Sequence, residues 1–302
     1  MSGIKLTLLT LGVLIAFAAN SVLGRVALKS SDSPLMDPAT YSAVRIVFGA
    51  AALACIQIWR RRSLRDENRV AKSARGRLFW GPAIALFLYA VCFSFAYIQL
   101  NAAAGTLILF AAVQLTMLSG AAIRGEKIRP WEIVGSVLAF AGLVWLLSPS
   151  VSTDSLPVEA ILMVISGFAW GIYSLIGKGS KDPISDTARN FLLAAPLSIF
   201  LLIPFLSNLH ATFVGLILAA TSGAITSGLG YVLWYTVLPR LTSAQAAAVQ
   251  LSVPVVAGLG GVLFAGDDLT SRTVIAGGII LSGIALTIRW QPVDAKSSGS
   301  RK

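Results

Sequence analysis

The pentapeptide Ala111-Ala112-Val113-Gln114-Leu115 recurs as Ala247-Ala248-Val249-Gln250-Leu251, and each copy lies inside a long apolar stretch. The repetition predicts two related halves, residues 1–150 and 151–290, followed by a polar tail over residues 291–302. If each half crosses a membrane five times, an odd number, the second half must enter from the opposite side. The repeat is therefore predicted to be inverted.

The composition is typical of an integral membrane protein. Hydrophobic residues make up 56% and charged residues 12% of the 302 residues, whereas about a quarter of an average soluble domain is charged. Runs of roughly 20 apolar residues are long enough to cross a bilayer as helices. We therefore expect an all-α fold with ten transmembrane helices. Their approximate ranges are 4–24, 39–59, 78–99, 103–123, 130–148, 157–177, 187–206, 211–237, 243–265 and 271–289.

The distribution of charge predicts the orientation. The net charge is +11, and the stretch from Arg60 to Arg77 carries eight basic residues against Asp66 and Glu67. Cytoplasmic loops of membrane proteins are enriched in Lys and Arg. We therefore place this loop, both termini and the polar tail in the cytoplasm, with the chain in a bacterial inner membrane. The basic excess then favours contact with an anionic lipid bilayer, and no nucleic-acid partner is expected.

Two short motifs indicate a family. Phe168-Ala169-Trp170-Gly171 opens the second half, and Gly125-Glu126 precedes the last helix of the first half. With the two five-helix halves, these motifs resemble the drug/metabolite transporter superfamily, specifically its EamA-type ten-helix exporters, over roughly residues 4–290. The chain looks similar to bacterial exporters of aromatic amino acids. The resemblance implies a substrate path between the halves that opens alternately to each side of the membrane.

Three amide side chains lie in the middle of predicted spans. A helix facing lipid has no use for Asn20, Gln114 or Gln250, so polar side chains at this depth are candidates for a substrate path. Gln114 and Gln250 also occupy equivalent places in the two halves, and an inverted repeat would turn both toward a common axis. The alternative is that each makes a hydrogen bond between helices without contacting substrate.

Aromatic side chains supply a second set of candidates. Tyr89, Phe93 and Tyr97 follow one another at spacings of four and share one face of a helix. The family resemblance places their helix beside two others, so an aromatic cavity suited to substrates with a hydrophobic body is expected. The alternative is a belt of aromatic residues at the membrane interface. The candidates on the other two helices are Trp170, Tyr173, Tyr231 and Trp234.

Two further residues are assigned gating or structural roles. Arg45 lies about seven residues inside the second span. It either meets a substrate carboxylate through paired hydrogen bonds or extends to the outer interface and anchors the helix, and we favour the anchor. Pro254 lies in the ninth span, where it removes a backbone donor and predicts a kink.

The sequence favours a carrier over an enzyme or a channel. No Asp or Glu lies near the centre of a predicted span, and a phosphate-binding loop of the Walker type is absent. We therefore expect no catalytic residues, cofactor or metal ion. The predicted function is facilitated or exchange transport of amino acids, aromatic ones first, by a monomer. An open pore, or export of other drugs or metabolites, remains the alternative.

Overall fold

The computed structural model describes residues 3–29, 34–63, 80–125, 129–151 and 157–287. The basic loop over 64–79 and the tail over 291–302 lie outside the described residues. Within those ranges the backbone is helical, apart from turns and one isolated antiparallel bridge between Met36 and Ala211. The α-helices are α1 Gly3–Leu28, α2 Pro38–Ser63, α3 Gly81–Ala96, α4 Ala102–Ile123, α5 Pro130–Val151, α6 Val158–Gly177, α7 Pro183–Phe200, α8 Phe213–Thr221, α9 Gly230–Val237, α10 Ser243–Val249, α11 Val253–Gly260 and α12 Ser271–Thr287.

Several of these helices have the length and apolar character of membrane spans. Five in the described ranges are long and apolar enough to cross a bilayer, and two shorter apolar helices accompany them. The long ones are Ile4–Leu28, Pro38–Arg60, Ala102–Ile123, Val158–Gly177 and Phe213–Arg240, and the shorter ones are Gly81–Ala96 and Val253–Ala265. The prediction of an all-helical fold is thus confirmed for the described residues, and the number of ten spans stays a prediction.

Short irregular segments interrupt two helical stretches of the second half. A π-helical segment, Ser222–Leu229, joins α8 to α9, and a 3₁₀ segment, Gln250–Ser252, joins α10 to α11. Pro254 stands in the first turn of α11, where its missing N–H is tolerated. The helical type changes just before Pro254, and the kink at this residue stays a prediction. Such segments often accompany functional sites.

Helix contacts join the two predicted halves. α5 packs against α12, α3 and α4 both pack against α6, and α2 packs against α7 and the π segment. α1 lies against α9 and α11. The buried side chains form one core cluster, with aromatic rings at its centre.

Glycine allows the tightest of these contacts. A Cβ added to Gly223 in the π segment would lie 2.0 Å from the carbonyl oxygen of Arg45 in α2, and one added to Gly167 in α6 would lie 2.4 Å from the carbonyl oxygen of Leu109 in α4. No side chain fits at such distances. These two glycines therefore bring α2 and α4 against second-half helices.

The contacts between helix ends and turns define two ends of the bundle. The α1–α2 end holds the end of α1, the start of α2, the turn between α3 and α4, and the segment between α11 and α12. The α6–α7 end holds the end of α2, the end of α4, the turn between α6 and α7, and the start of α10.

Candidate substrate site

Aromatic rings from four helices meet in the middle of the bundle. Trp170 of α6 lies with its ring centre 5.3 Å from Phe17 of α1, 5.0 Å from Tyr89 of α3 and 4.6 Å from Tyr231 of α9. Edge-to-face and tilted arrangements dominate these contacts, as expected for ring quadrupoles. We call Phe17, Tyr89, Phe93, Trp170, Tyr173 and Tyr231 the central cluster.

A small cavity lies beside the central cluster. It has room for about one water molecule, so this conformation could admit an amino acid only if side chains or helices moved. Rings and aliphatic side chains form most of its wall, and Ser21 adds a hydroxyl. The lining residues are Phe17, Ser21, Tyr89, Phe93, Leu109, Phe110 and Trp170.

Arg45 is buried against this cluster, and its side chain is only 1% exposed. Its Nε donates to Ser227 Oγ at 3.0 Å, and its Nη2 donates to Tyr89 Oη at 3.1 Å and to Tyr231 Oη at 2.8 Å. The expectation that Arg45 extends to the outer interface is therefore wrong. Sequence position alone suggested an escape to water, whereas three hydroxyl groups on other helices hold the guanidinium inside.

Asn20 joins the same polar network. Its amide nitrogen donates to Tyr89 Oη at 3.2 Å, and its amide oxygen accepts from Ser222 Oγ at 2.7 Å and from Thr226 Oγ1 at 3.1 Å. The π segment supplies both hydroxyls. Asn20 therefore links α1 to α3 and to the π segment.

The two repeat-related glutamines have different surroundings. Gln250 accepts from Trp170 Nε1 at 2.7 Å and donates to the carbonyl oxygen of Ala246 at 3.0 Å. Gln114 is buried, but neither atom of its amide has a hydrogen-bond partner among the described residues. It follows the cavity-lining Phe110 by one helical turn, on the same face of α4. Gln250 thus supports the cluster, while Gln114 lies close to the cavity with its donors and acceptor free.

The remaining predicted residues lie at the edges of the cluster. Trp234 contacts Phe17 with ring centres 5.9 Å apart and donates to Ser174 Oγ at 3.1 Å. Tyr97 packs on Phe93 at 4.6 Å at the end of α3. Pro254, at the start of α11, has no ring or hydrogen-bond contact with the cluster in the described structure.

A buried ion pair closes the α1–α2 end, and the sequence reasoning missed it. Arg25 Nε lies 2.9 Å from Asp267 Oδ1, and both side chains are under a tenth exposed. Arg25 Nη1 also donates to the carbonyl oxygens of Tyr97 and Ile98, and Asp267 Oδ2 accepts from the backbone N–H of Ala102. The signal that could have found it is the pair of opposite charges just beyond the ends of two predicted spans.

Polar contacts also cross the α6–α7 end, but they are more exposed. Arg60 Nη1 lies 2.8 Å from Asp182 Oδ1, with 40% and 31% of the two side chains exposed. Partial burial opposes ionisation of Asp182, but hydrogen bonds from Arg60 and Ser185 outweigh it and lower its pKa below the ordinary value of 3.8. Lys178 Nζ donates to Ser243 Oγ at 2.9 Å nearby.

The described residues form no group of three or more His, Cys, Asp or Glu side chains that could hold a metal ion. The central cluster and the polar side chains bonded to it instead offer rings, hydroxyls, amides and one guanidinium. These groups can bind and orient a small molecule.

The family model for EamA-like transporters matches residues 4–148 and again residues 158–289. The chain belongs to the EamA-like transporter family. Because the two matches together cover nearly the whole sequence, the resemblance to EamA-type members of the drug/metabolite transporter superfamily is confirmed. This EamA protein is thus a member of a family of membrane transporters.

Several relatives cover most of this EamA chain. An uncharacterized protein of Pseudomonas aeruginosa is 44% identical over 281 residues, 93% of each chain. An uncharacterized transporter of Archaeoglobus fulgidus is 31% identical over 62% of this chain and 67% of its own. The threonine/homoserine exporter RhtA of Escherichia coli is 27% identical over 92% of each chain. A crystal structure of a protein 19% identical to this chain has the same fold, with a TM-score of 0.67 over 95% of this chain and 98% of that one.

Proposed function

We propose that this chain is a secondary transporter that exports amino acids, aromatic ones preferentially, together with similar small amphipathic metabolites. The observation that carries the proposal is the central cluster with the aromatic-walled cavity beside it, in a bundle that polar contacts close at both ends. The mechanism is alternating access. Only one set of end contacts opens at a time, and substrate reaches the central cluster from that side.

The pattern of helix contacts supports two inverted halves of five helices within residues 1–150 and 151–290. In this scheme α8 with α9 forms one span and α10 with α11 forms another. We replace each span by its equivalent in the other half, five places away, so that α3 becomes the α8–α9 span and α6 becomes α1. The α3–α6 contact then corresponds to the observed contact between the α8–α9 span and α1. In the same way, the α4–α6 contact corresponds to the observed contact between the α10–α11 span and α1. The α5–α12 and α2–α7 contacts map onto themselves. A two-fold axis in the membrane plane has this property.

The cavity walls favour aromatic substrates. Phe17, Tyr89 and Trp170 present ring surfaces toward the same small space, and rings pack well against other rings. A second candidate is export of threonine and homoserine, because the relatives named RhtA align over 92% of this chain. Small hydroxylated substrates would leave most of the aromatic surface without contact, so we place them second.

The described structure supports transport without proton coupling. Asp267 is the one buried carboxylate among the described side chains, and it is paired with Arg25. A proton relay needs a carboxylate that can change its charge during the cycle. We therefore propose facilitated transport or exchange.

We also propose a monomer in the bacterial inner membrane with both termini in the cytoplasm, and no catalytic activity. The α6–α7 end, which carries Arg60, Arg124 and Lys178, would face the cytoplasm. Enrichment of Lys and Arg on one side supports this orientation.

The test is uptake of labelled phenylalanine, tryptophan and threonine into liposomes that contain the purified protein. We expect saturable uptake of all three, with the lowest KM for the aromatic pair, and no change on imposing a pH gradient. Preference for threonine would favour the second candidate. Failure to transport any of the three would contradict the amino-acid proposal, and liposomes without protein provide the background.

A further inference from the structure

The guanidinium of Arg45 has an incomplete set of partners. An arginine side chain carries five N–H donors. The Nε donor and both Nη2 donors are used by Ser227, Tyr89 and Tyr231. Nη1 is buried and has no partner among the described residues, so two donors remain on one side of the group.

The charge of Arg45 is not balanced either. Its three partners are neutral hydroxyl groups, and the nearest rings are those of Tyr89 and Phe93, whose centres lie 5.0 and 4.7 Å from its Cζ. Among the side chains that the structure describes, the buried carboxylate is Asp267, which is paired with Arg25. A buried charge without a counter-ion is costly, and this one lies inside a membrane-spanning helix. The described side chains therefore supply no anion to balance Arg45.

Arg45 lies next to rings that line the cavity, and this position indicates that an anion would reach Arg45 from the cavity. Tyr89 and Phe93 both line the cavity, and the rings of both residues also pack on the guanidinium of Arg45. The cavity and the guanidinium thus have these two rings as common neighbours. A carboxylate matches both the charge and the pair of free donors.

We propose that Arg45 forms the carboxylate subsite of the transport path, with Nη1 binding the anionic group of the substrate while Tyr89, Tyr231 and Ser227 hold the guanidinium in place. The inference rests on the proposed transport function and narrows its substrate class. Transported molecules carry a carboxylate, and a substrate amine is dispensable, because the described cluster contains no acidic side chain to pair with it.

The first experiment uses the wild-type protein and three related probes. Phenylalanine, 3-phenylpropionate, which lacks the amine, and phenethylamine, which lacks the carboxylate, are tested as competitors of labelled phenylalanine uptake. We expect 3-phenylpropionate to compete within a few fold of phenylalanine and phenethylamine to compete at least tenfold more weakly. Equal competition by phenethylamine would overturn the proposal.

A second experiment does not depend on phenylalanine being a substrate. The midpoint of thermal unfolding is measured in detergent with sodium formate or sodium chloride at equal ionic strength. Formate is expected to raise the midpoint more than chloride in the wild type, because ligands stabilise the state that binds them. If formate acts but phenylalanine is not transported, the subsite stands and the amino-acid proposal fails. If chloride and formate act equally, Arg45 holds a counter-ion and the carboxylate subsite is wrong.

Variants connect these effects to Arg45. Arg45→Gln should abolish the formate effect and raise the KM for phenylalanine at least tenfold, and Arg45→Lys should give an intermediate loss because the two-donor geometry is missing. The matched control is Arg124→Gln, whose arginine bonds a backbone carbonyl of α6 away from the cluster. If Arg45→Gln does not fold, the wild-type competition series still decides the question. A folded Arg45→Gln with unchanged KM would contradict the proposal.

Discussion

Gln114 and Gln250 occupy equivalent places in the repeated pentapeptide, but their amide groups differ in hydrogen bonding. Gln250 accepts the indole N–H of Trp170, whereas both amide atoms of Gln114 lack partners among the described residues. A satisfied buried polar group stabilises a fold modestly, but an unsatisfied one costs about 1–3 kcal/mol. We therefore expect Gln114 to contact the substrate and Gln250 to orient Trp170.

Replacing each glutamine by leucine separates the two roles. Gln114→Leu should slow amino-acid uptake while leaving thermal stability unchanged or higher, because it removes an unsatisfied amide. Gln250→Leu leaves Trp170 Nε1 without its acceptor and should lower the free energy of unfolding by about 1–3 kcal/mol. Uptake and thermal unfolding of the same preparations provide both measurements. Unchanged uptake in both variants would remove the glutamines from the substrate path.

The Arg60–Asp182 pair makes a prediction about pH. Since the pKa of Asp182 is lowered in the folded protein, the pair contributes stability above the ordinary aspartate pKa and loses it only as the pH falls through the lower, folded value. Asp182→Asn keeps the helix cap and should lower stability by up to about 1 kcal/mol, because the pair is partly exposed. The difference from wild type should stay constant between about pH 5.5 and 8. A difference that varies with pH across that range would contradict the assignment.

At the scale of helices, the decisive feature is how closely the π segment approaches α2. The segment supplies the hydroxyls that bind Asn20 and Arg45, and Gly223 brings it against the backbone at Arg45. Ser227 lies in the segment and Tyr231 follows it in α9, and their spacing of four residues puts both on the face that binds the guanidinium.

Gly223→Ala tests this contact. The new Cβ would meet the carbonyl oxygen of Arg45 at 2.0 Å, and α2 and the π segment would have to separate. We expect a loss of about 1–3 kcal/mol in the free energy of unfolding, together with weaker transport. Gly12→Ala is the matched control, since a Cβ there would have nothing within 4 Å. Equal stabilities for the two variants would show that the approach is not needed.

The whole molecule is closed unequally at its two ends. The Arg25–Asp267 pair is buried and has further bonds to the turn between α3 and α4, whereas Arg60–Asp182 is partly exposed. Buried pairs are costly to break because each charge is then left without a partner. In this conformation the α1–α2 end is therefore the more firmly closed end.

Asp267→Asn should weaken that closure. Arg25 would keep its charge and lose its counter-ion, at a cost of about 3–5 kcal/mol. The adjacent Asp268→Asn is the control, because Asp268 is exposed, and it should change stability little. Thermal unfolding of the two variants measures the difference. Similar midpoints would mean that the pair does not hold this end closed.

The sequence predicted which residues lie in the middle of the bundle better than it predicted the hydrogen bonds and ion pairs between them. Apolar runs and the repeated pentapeptide were enough for the helical membrane fold, because lipid leaves few alternatives for the backbone. The structure brings the predicted candidates Asn20 and Tyr89 into contact, and likewise Trp170 and Gln250. Their contribution to transport stays a prediction.

Contacts between residues far apart in the chain could not be predicted from the sequence alone. Nothing local to Arg45 indicates that its partners lie on α3, α9 and the π segment, since those contacts depend on how helices from both halves pack. Asp267 was a similar case, because its partner Arg25 precedes it by 242 residues. Phe17 and Ser21 of α1 also line the cavity, although an apolar helix contains many residues of the same kind.

We propose that the two ends of the bundle open in turn around one substrate site. Counterflow is the most direct test of this alternation. Liposomes containing the protein are loaded with unlabelled phenylalanine, and entry of labelled phenylalanine is followed with and without the internal load. The account predicts faster entry and a transient accumulation of label in the loaded liposomes, because a returning carrier is occupied. Entry that is indifferent to internal substrate and does not saturate would contradict a carrier and indicate an open pore.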